Sequence, residues 1–379
     1  MDSRDYVRGL IRGYYSKVRP GVDRVSEREF GVGGFDRKVE QRHMAFASNS
    51  ELWGYLARNA PLYVSHSTAY YRYPDARPME KKEWLGSELV FDLDATDMNL
   101  PCKTAHGSEW VCEECLEAVR AETVKLVEEF LVPDFGFSES VMSINFSGNR
   151  GYHVHVFDDE VQKLGPDARK EISDYISGNG IRFEEFFPTS GQRGVALYGP
   201  TLADHGWRGK LARSFVERLG KGAEALEELG IDRPTARRLY KSRVLVESGI
   251  SKGNWDMIEI KRKAEFWNSI IARQTIAQSD RIDKNVTTDT SHLIRLADTI
   301  HGGTGLVSRR IPSLKMLATY EPMKECIAFA KGEVLVKADT RQRLVMNGME
   351  FGPFRNVQVA LPVYAGVYLY LKGFGKLAF

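Results

Sequence analysis

The sequence predicts an α/β (α+β) fold, in which a core of strands and helices carries a helical insertion and a small zinc knuckle. Strand-like apolar runs at 141–146 and 154–157 flank a turn that contains two glycines. From 207 to 278 the composition changes to helix formers, interrupted by glycine and proline. A short segment, 102–115, combines three cysteines with a histidine. We therefore expect three parts in order along the chain: core residues 1–206, the insertion 207–278, and core residues 279–379.

The remaining segments show periodicity that is typical of single elements. An amphipathic helix is expected from Asp5 to Arg19, because its apolar residues recur at helical spacing and Pro20 follows. A second helix is expected from Cys115 to Phe130. Late in the chain the expected elements are the strands Arg281–Val286 and Val334–Val336 and a final helix, Pro362–Leu371.

Composition limits the classes of protein to which the chain can belong. Hydrophobic residues make up 42% and charged residues 27% of the 379 positions, which is ordinary for a soluble domain. No apolar run is long enough to span a bilayer, and the N-terminus shows no targeting segment, so we expect a cytoplasmic location, or a nuclear one if the source is eukaryotic. The net charge of +2 is too small to indicate a nucleic-acid binder, so any basic groove must be a local feature.

Two carboxylates lie close together on the strand expected at 88–97. The period of two places Asp92 and Asp94 on one face, with Val90, while Phe91 points to the other. Carboxylates on the same face repel one another unless cations neutralise them, and hard divalent metals prefer oxygen ligands. Such pairs also line solvated strand ends, so spacing alone leaves this alternative open.

The turn Ser147–His153 combines a hydroxyl, a guanidinium and an imidazole with two glycines. Gly148 and Gly151 would let the backbone approach a ligand, and Arg150 can make charge-assisted contacts with phosphate. A solvated hairpin turn is the alternative. His155, on the same strand face as His153, is expected to be a packed or hydrogen-bonded residue.

The cysteine and histidine spacing is typical of a metal knuckle. Cys102, His106, Cys112 and Cys115 supply four soft ligands in a short segment, which suits a closed tetrahedral zinc site. A redox pair is the competing interpretation, but the two glutamates between the last two cysteines would oppose thiolate formation. The remaining cysteine, Cys326, is expected to be a buried free thiol.

Taken together, these motifs resemble those of the small, catalytic subunit of the archaeal and eukaryotic replicative DNA primase. The resemblance extends over most of the chain in five ordered blocks. They are Arg28-Glu29-Phe30 with Arg42-His43, the Asp92/Asp94 strand, the cysteine and histidine cluster, Ser147 to His153, and a late run from Arg281 through His292-Leu293-Ile294-Arg295 to Leu306.

The resemblance implies a role for residues that are far apart in sequence. Asp283 matches the family's third metal-binding carboxylate. The matches to the family's nucleotide-binding positions are Arg42, Ser147, Arg150, His153, Arg295 and His301. Asn149 departs from the eukaryotic pattern, which has a second arginine there, so no phosphate role is assigned to it.

The resemblance implies the activity of a DNA primase, which makes short primers for DNA replication by template-directed nucleotidyl transfer. It also implies two Mg²⁺ or Mn²⁺ ions held by the three aspartates. A structural Zn²⁺ would occupy the knuckle. The implied partners are nucleoside triphosphates, a single-stranded DNA template and an iron-sulfur large subunit, which would form a heterodimer with this chain. Two alternatives stay open, a repair polymerase of the same superfamily and a non-catalytic, zinc-containing subunit that binds single-stranded nucleic acid.

Overall fold

The computed structural model describes residues 2–182, 185–187, 196–276 and 284–379. The chain divides into two compact units. The first unit comprises Met1–Val124, Phe137–Lys170 and Ile282–Phe379, and the second comprises Lys125–Gly136 and Glu171–Arg281. The expected insertion, 207–278, falls inside the second unit, which also includes residues on its N-terminal side. The exact limits of the insertion therefore stay a prediction.

Helices occur in both units. Their bounds are α1 Ser3–Tyr15, α2 Asn49–Asn59, α3 Lys103–His106, α4 Glu113–Lys125, α5 Asp159–Gln162, α6 Pro166–Ile176, α7 Gly206–Lys221, α8 Ala223–Glu227, α9 Arg233–Lys241, α10 Arg243–Ser251, α11 Lys263–Ile276, α12 Lys284–Thr288, α13 Leu314–Leu317, α14 Pro322–Glu325 and α15 Val363–Leu371.

All the named strands belong to the first unit. Their bounds are β1 Phe30–Gly33, β2 Gln41–Met44, β3 Tyr63–Ser67, β4 Ala69–Tyr71, β5 Trp84–Ser87, β6 Leu89–Asp94, β7 Met142–Phe146, β8 Gly151–Val156, β9 Leu293–Arg295, β10 Arg309–Ile311, β11 Glu333–Thr340, β12 Leu344–Met346, β13 Met349–Phe351, β14 Phe354–Pro362 and β15 Gly375–Ala378. With helices beside several antiparallel sheets, the α+β class is confirmed.

The sheet that positions the site has the strand order β10-β7-β8-β6. One face is apolar: Phe91 pairs with Val154 and Leu93 pairs with Tyr152, and all four are almost completely buried. The other face carries Asp92 and the polar side chains of its neighbours. Alternation along each strand therefore builds a dry layer under a polar surface.

A second sheet, with the order β2-β1-β3-β9, is joined to the first by buried charges. Arg28 precedes β1 and forms an ion pair with Glu88, which precedes β6. Both residues are buried, and Glu88 also accepts a hydrogen bond from Tyr70 Oη at 3.0 Å and pairs with His155 Nδ1 at 2.8 Å. Buried charges need such partners, so this network fixes the edge of β6. It also bears out the expectation that His155 is a hydrogen-bonded strand residue.

The N-terminal and C-terminal elements follow their sequence patterns closely. α1 buries Val7, Ile11 and Tyr15, which recur every four residues and form one face. β11 alternates exposed and buried residues along its whole length, and its buried face includes Val336 and Ala338. The C-terminal helix, α15, packs against β11. The helices expected at both ends of the chain are thus present, although α1 ends at Tyr15 rather than Arg19.

The second unit is helical in its described residues and has an aromatic core. The ring centroids of Trp255 and Trp267 lie 4.8 Å apart, and Phe215 packs edge-on against Trp267 at 5.0 Å. Lys210 forms a buried ion pair with Asp134. Aromatic pairs at these distances contribute about 0.5–1.5 kcal/mol each beyond the area that they bury.

One expected element is wrong where the structure describes it. A strand was expected at Arg281–Val286, but Lys284–Thr288 forms the short helix α12. Val286 and Thr287 are both buried, and Val286 packs with Val90 of β6 and Ile294 of β9. The helix α12 therefore packs against β6.

Candidate active site

Strand β6 brings the two predicted metal-binding carboxylates to one face of the central sheet. Asp92 lies opposite His153 of β8, and Asp94 lies opposite Gly151. Each carboxylate side chain is 28% exposed, so both are accessible to a ligand. Asp283, the third carboxylate implied by the resemblance, lies outside the described residues.

Asp94 is held by donors on both sides. Its Oδ1 accepts hydrogen bonds from the backbone N–H of Thr96 at 2.8 Å and from Thr96 Oγ1 at 2.7 Å. Arg150 Nε donates to Oδ1 at 2.7 Å and to Oδ2 at 3.1 Å. Within the described part of the chain the terminal nitrogens of Arg150 donate to no side chain, so they can serve a further acceptor. Asp94 therefore both caps the turn after β6 and orients Arg150.

His153 lies beside Asp92 without neutralising it. Its Nε2 is 3.7 Å from Asp92 Oδ1, and the imidazole is 6% exposed. Burial, with smaller contributions from His155 and Arg295, lowers the pKa of His153 well below its usual value. The ring is therefore neutral at neutral pH and adds no positive charge beside Asp92.

The loop that contains Ser147 is closed by its own hydrogen bonds. Ser147 N–H donates to Gly151 O at 2.9 Å, and Ser147 Oγ accepts from the N–H groups of Gly151 at 3.2 Å and Asn149 at 3.4 Å. Because the hydroxyl oxygen already accepts these bonds, its O–H is left to donate. A triphosphate oxygen is a suitable acceptor for it.

The two glycines of the loop are required by close contacts. Gly148 has φ +83°, and a Cβ at this position would lie 2.7 Å from His301 Cβ. A Cβ on Gly151 would lie 2.2 Å from Leu93 O of the neighbouring strand. Alanine at either position would push the loop away from these neighbours.

His301 is bonded into the same loop. Thr304 Oγ1 donates to Gly148 O at 2.6 Å, which ties the His301 segment to the loop. The N–H of Gly303 donates to His301 Nδ1 at 3.1 Å. Burial, then the field of Arg295, lowers the pKa of His301 well below its usual value, so the ring is neutral. A neutral ring that accepts at Nδ1 carries its proton on Nε2, which is therefore a donor.

Tyr63, which the sequence did not indicate, connects His301 to Arg295. The guanidinium of Arg295 lies over the Tyr63 ring at 5.0 Å, and the same ring meets His301 edge-on at 5.5 Å. Burial lowers the pKa of Arg295 to about 10, so the group remains charged. Among the described residues its Nη1 has no hydrogen-bond partner. A buried, charged donor of this kind is suited to an anion.

Arg42 is not joined to this group of residues by any contact in the described ranges. Its Nε donates to Glu29 Oε1 at 2.7 Å, and its side chain is 41% exposed. Glu29 is fully buried and also pairs with Lys82 and His43. The contacts therefore bring together Asp92, Asp94, Ser147, Arg150, His153, Arg295 and His301, whereas the partner of Arg42 is Glu29, the residue that directly precedes β1.

The four residues of the expected knuckle converge. One ligand atom from each of Cys102, His106, Cys112 and Cys115 lies within 4.8 Å of all the others. Cys115 Sγ is 3.5 Å from Cys102 Sγ, 3.6 Å from Cys112 Sγ and 3.5 Å from His106 Nε2. Sulfurs that share a tetrahedral zinc at its usual bond length lie about 3.8 Å apart, so this cluster fits a zinc site.

The orientation of His106 agrees with metal binding. Its Nδ1 lies 2.7 Å from the carbonyl oxygen of Gly107, so Nδ1 carries the proton and Nε2 is free to coordinate. The four cysteines of the chain are all free thiols in the structure, and Cys326 is completely buried, as expected.

A family of proteins described as DNA primase small subunit matches residues 91–312 of the sequence. This chain belongs to the DNA primase small subunit family. The matched range includes the Asp92/Asp94 strand, the knuckle, the Ser147 loop and the Arg295 to His301 segment. The expected resemblance is thus confirmed, and with it the primase function.

Several similar primase subunits come from archaea. The DNA primase small subunit PriS of Methanothrix thermoacetophila is 36% identical, with 98% of each chain covered. PriS of Thermoplasma acidophilum is 34% identical and covers 96% of this chain and 98% of its own. PriS of Methanococcoides burtonii is 32% identical, with 98% of each chain covered. In the described part of the chain, no helix is both long and apolar enough to cross a bilayer.

Proposed function

We propose that this chain makes short primers for DNA replication by nucleotidyl transfer from nucleoside triphosphates on a single-stranded DNA template. The observation that carries the proposal is the pairing of β6 with β8, which sets Asp92 and Asp94 beside His153 and Arg150 on one polar sheet face. Acidic and basic groups in adjacent positions suit a ligand that has both cations and phosphates. The reaction class is then that of a DNA-directed primase and polymerase.

In this proposal Asp92 and Asp94 bind divalent cations. Asp283 is the third metal-binding carboxylate, an assignment that comes from the family resemblance. The cations supplied as Mg²⁺ or Mn²⁺ would lower the pKa of the attacking 3′ hydroxyl and offset charge on the departing pyrophosphate. Asp94 is oriented by Thr96, and Asp92 faces a neutral imidazole.

The residues around the glycine loop bind the phosphates. Arg150 offers its terminal nitrogens, His301 offers Nε2–H, and Arg295 offers a charged nitrogen that has no other acceptor among the described residues. These donors are fixed before the nucleotide arrives, because Tyr63, Thr304 and Asp94 already orient them. Preorganised donors of this kind contribute to rate mainly by positioning.

The proposed cofactor of the knuckle is a structural zinc ion, since all four ligand positions come from the chain and none is left open. The proposed partner is a primase large subunit that carries an iron-sulfur cluster. Such a cluster needs about four cysteine ligands. This chain has four cysteines, of which three lie in the knuckle, so the cluster must come from the partner.

Primer extension tests the proposal. Asp92→Asn and Asp94→Asn each remove a metal-binding charge while keeping the shape of the side chain, so extension of a supplied primer in Mg²⁺ should fall by at least about a thousandfold. Binding of single-stranded template should change little. Glu80→Gln is a matched control, because it removes one carboxylate charge from a short helical turn outside the site.

Near-normal extension by either folded aspartate variant would contradict the metal-binding assignment. Loss of template binding in parallel with loss of extension would contradict the separation of the two roles. Because both variants are nearly isosteric with the parent, circular dichroism and thermal denaturation can show whether the fold is retained.

A further inference from the structure

Lys372 reaches the glycine loop from the opposite end of the chain. It is the residue that directly follows α15, and its Nζ donates to Asn149 Oδ1 at 3.1 Å, across 223 positions of sequence. The same Nζ lies 3.5 Å from the carbonyl oxygen of Glu109, in the knuckle segment. The amine is thus placed next to Arg150, between the loop and the knuckle.

The position of Lys372 is set by the end of the helix. Its backbone N–H donates to Tyr368 O at 3.0 Å, and Phe374 N–H donates to Leu369 O at 2.8 Å across the turn. The Phe374 ring packs edge-on against Trp110 at 5.1 Å. A side chain that leaves a fixed turn loses less entropy when it binds a ligand than one on a mobile tail.

The charge on Lys372 lacks a counter-ion at close range. Both of its acceptors are neutral oxygens, and within the described ranges no carboxylate forms an ion pair with it. Burial, then repulsion from Arg150, lowers the pKa of Lys372 to about 8, while the carboxylates of Glu109 and Asp94, which form no ion pair with it, act in the opposite direction. The group therefore remains mostly protonated at neutral pH, at a place that already holds Arg150.

The charge of Lys372 also acts on His301, another residue of the proposed phosphate site. After burial, the groups that lower the pKa of His301 are Arg295, Lys372, Lys38 and Arg150, in that order. The charges of four basic side chains therefore each lower the pKa of the buried His301 imidazole. Cations gathered in this way repel one another, and an anion bound among them relieves the repulsion.

We propose that Lys372 is a phosphate-binding residue, which donates to an oxygen of the incoming nucleoside triphosphate beside Asn149. The inference rests on the proposed function, because it takes the Ser147 loop to be the triphosphate site. The loop itself supplies one cation, Arg150, next to the neutral Asn149. Lys372 adds a second cation at that position from a distant segment of the chain.

Equilibrium binding of two ligands to the full chain tests this role. In Lys372→Gln the affinity for a nucleoside triphosphate with Mg²⁺ should fall about tenfold, while the affinity for the matching monophosphate should not change. This tenfold loss of affinity is about what is expected when one hydrogen bond to a charged phosphate is removed at a half-buried site. Lys372→Arg should recover much of the affinity. Lys376→Gln, which removes an exposed lysine from β15, should have no effect.

A purely structural role predicts a different pattern. If Lys372 only ties the helix end to the loop and the knuckle, Lys372→Gln should weaken both ligands equally and lower zinc content or thermal stability. That result would overturn the inference, as would an unchanged triphosphate affinity in a folded variant. If Lys372→Gln does not fold, the variant Asn149→Asp can be tested in its place. The new carboxylate would pair with Lys372 and keep it from binding phosphate. A folded Asn149→Asp variant with parental triphosphate affinity would then refute the role.

Arg150→Ala distinguishes failure of this inference from failure of the proposed function. If Arg150→Ala weakens triphosphate binding and Lys372→Gln does not, only the role of Lys372 is wrong. If neither variant weakens it, the loop is not the phosphate site and both proposals fail.

Discussion

Replacing Gly148 with alanine tests how tightly the glycine loop and His301 depend on each other. The new methyl carbon would lie 2.7 Å from His301 Cβ and 3.2 Å from the backbone nitrogen of Ser308. His301 Cβ is attached directly to the main chain and cannot swing aside, so either the loop or the His301 segment must move. We therefore expect Gly148→Ala to separate His301 from the phosphate that we propose it binds.

The magnitude follows from two contributions. The backbone at Gly148 has φ +83°, and a residue with a Cβ in this region costs about 1–2 kcal/mol of stability. Loss of the proposed hydrogen bond from His301 to a charged phosphate is a separate cost of about 1.5–3 kcal/mol, which raises the activation free energy and not the free energy of folding. Since 1.36 kcal/mol is about tenfold in rate, kcat/KM for primer extension should fall by about 10- to 150-fold.

A control isolates the steric contribution. Gly348, in the turn between β12 and β13, has φ +71°, and among the described residues no atom lies within 4 Å of the place that a Cβ would take, so Gly348→Ala carries the backbone cost alone. Its free energy of unfolding should fall by about 1–2 kcal/mol while kcat/KM is unchanged. Denaturation in urea and primer extension, measured on both variants, separate the two effects.

A double-mutant cycle shows whether the loss acts through His301. Once His301→Ala has removed the imidazole, adding Gly148→Ala should reduce kcat/KM much less than it does in the parent, because the contact with phosphate is already gone. Additive losses in the double variant would refute this reasoning. Parental kcat/KM in a folded Gly148→Ala variant would refute it as well.

Two further predictions concern stability. Glu88→Ala leaves the guanidinium of Arg28 buried without its carboxylate partner. The free energy of unfolding, measured in urea at pH 7, should therefore fall by about 3–5 kcal/mol. A loss below about 1 kcal/mol would contradict a stabilising role for this pair. Burial alone would raise the pKa of Glu88, but Arg28 and then His155 hold this pKa below its usual value. The ionised carboxylate therefore stabilises the fold fully above pH ~4.3, and this contribution is lost as the pH falls through the pKa of Glu88 in the folded state. The difference in stability between Glu88→Ala and the parent should accordingly shrink in acid. Cys112→Ser should reduce the zinc content below about one ion per chain and lower the melting temperature. The control, Cys326→Ser, should keep the metal. Full zinc content in Cys112→Ser would contradict the proposed ligand set.

The parts of the site that lie within one strand or one turn could be predicted from the sequence. Alternation along 88–94 predicted a polar face that contains Asp92 and Asp94, and β6 has that arrangement. The knuckle could be predicted because its ligands are separated by short intervals, which limit how far apart they can fold. Local periodicity and spacing are physical constraints on neighbouring residues, and they need no knowledge of the rest of the fold.

The parts that depend on distant packing could not be predicted in the same way. Nothing in the spacing of residues connects Lys372 to Asn149 or Tyr63 to Arg295, since each pair meets only when segments far apart in sequence come together. The strand expected at 281–286 failed for a related reason. The family match placed Asp283 on a strand, but Lys284–Thr288 forms the helix α12, which packs against β6, and this distant contact cannot be read from the local sequence.

Burial of the histidines determines how charge is distributed in the site. If His153 were protonated, it would form an ion pair with Asp92 and compete with divalent cations for that carboxylate. Burial keeps His153 and His301 neutral, so the positive charge of the site comes from Arg150, Arg295 and Lys372 instead. Acidic and basic groups can then act on different parts of one ligand. The packing that buries these two imidazoles is therefore part of the chemistry, because it keeps both rings neutral.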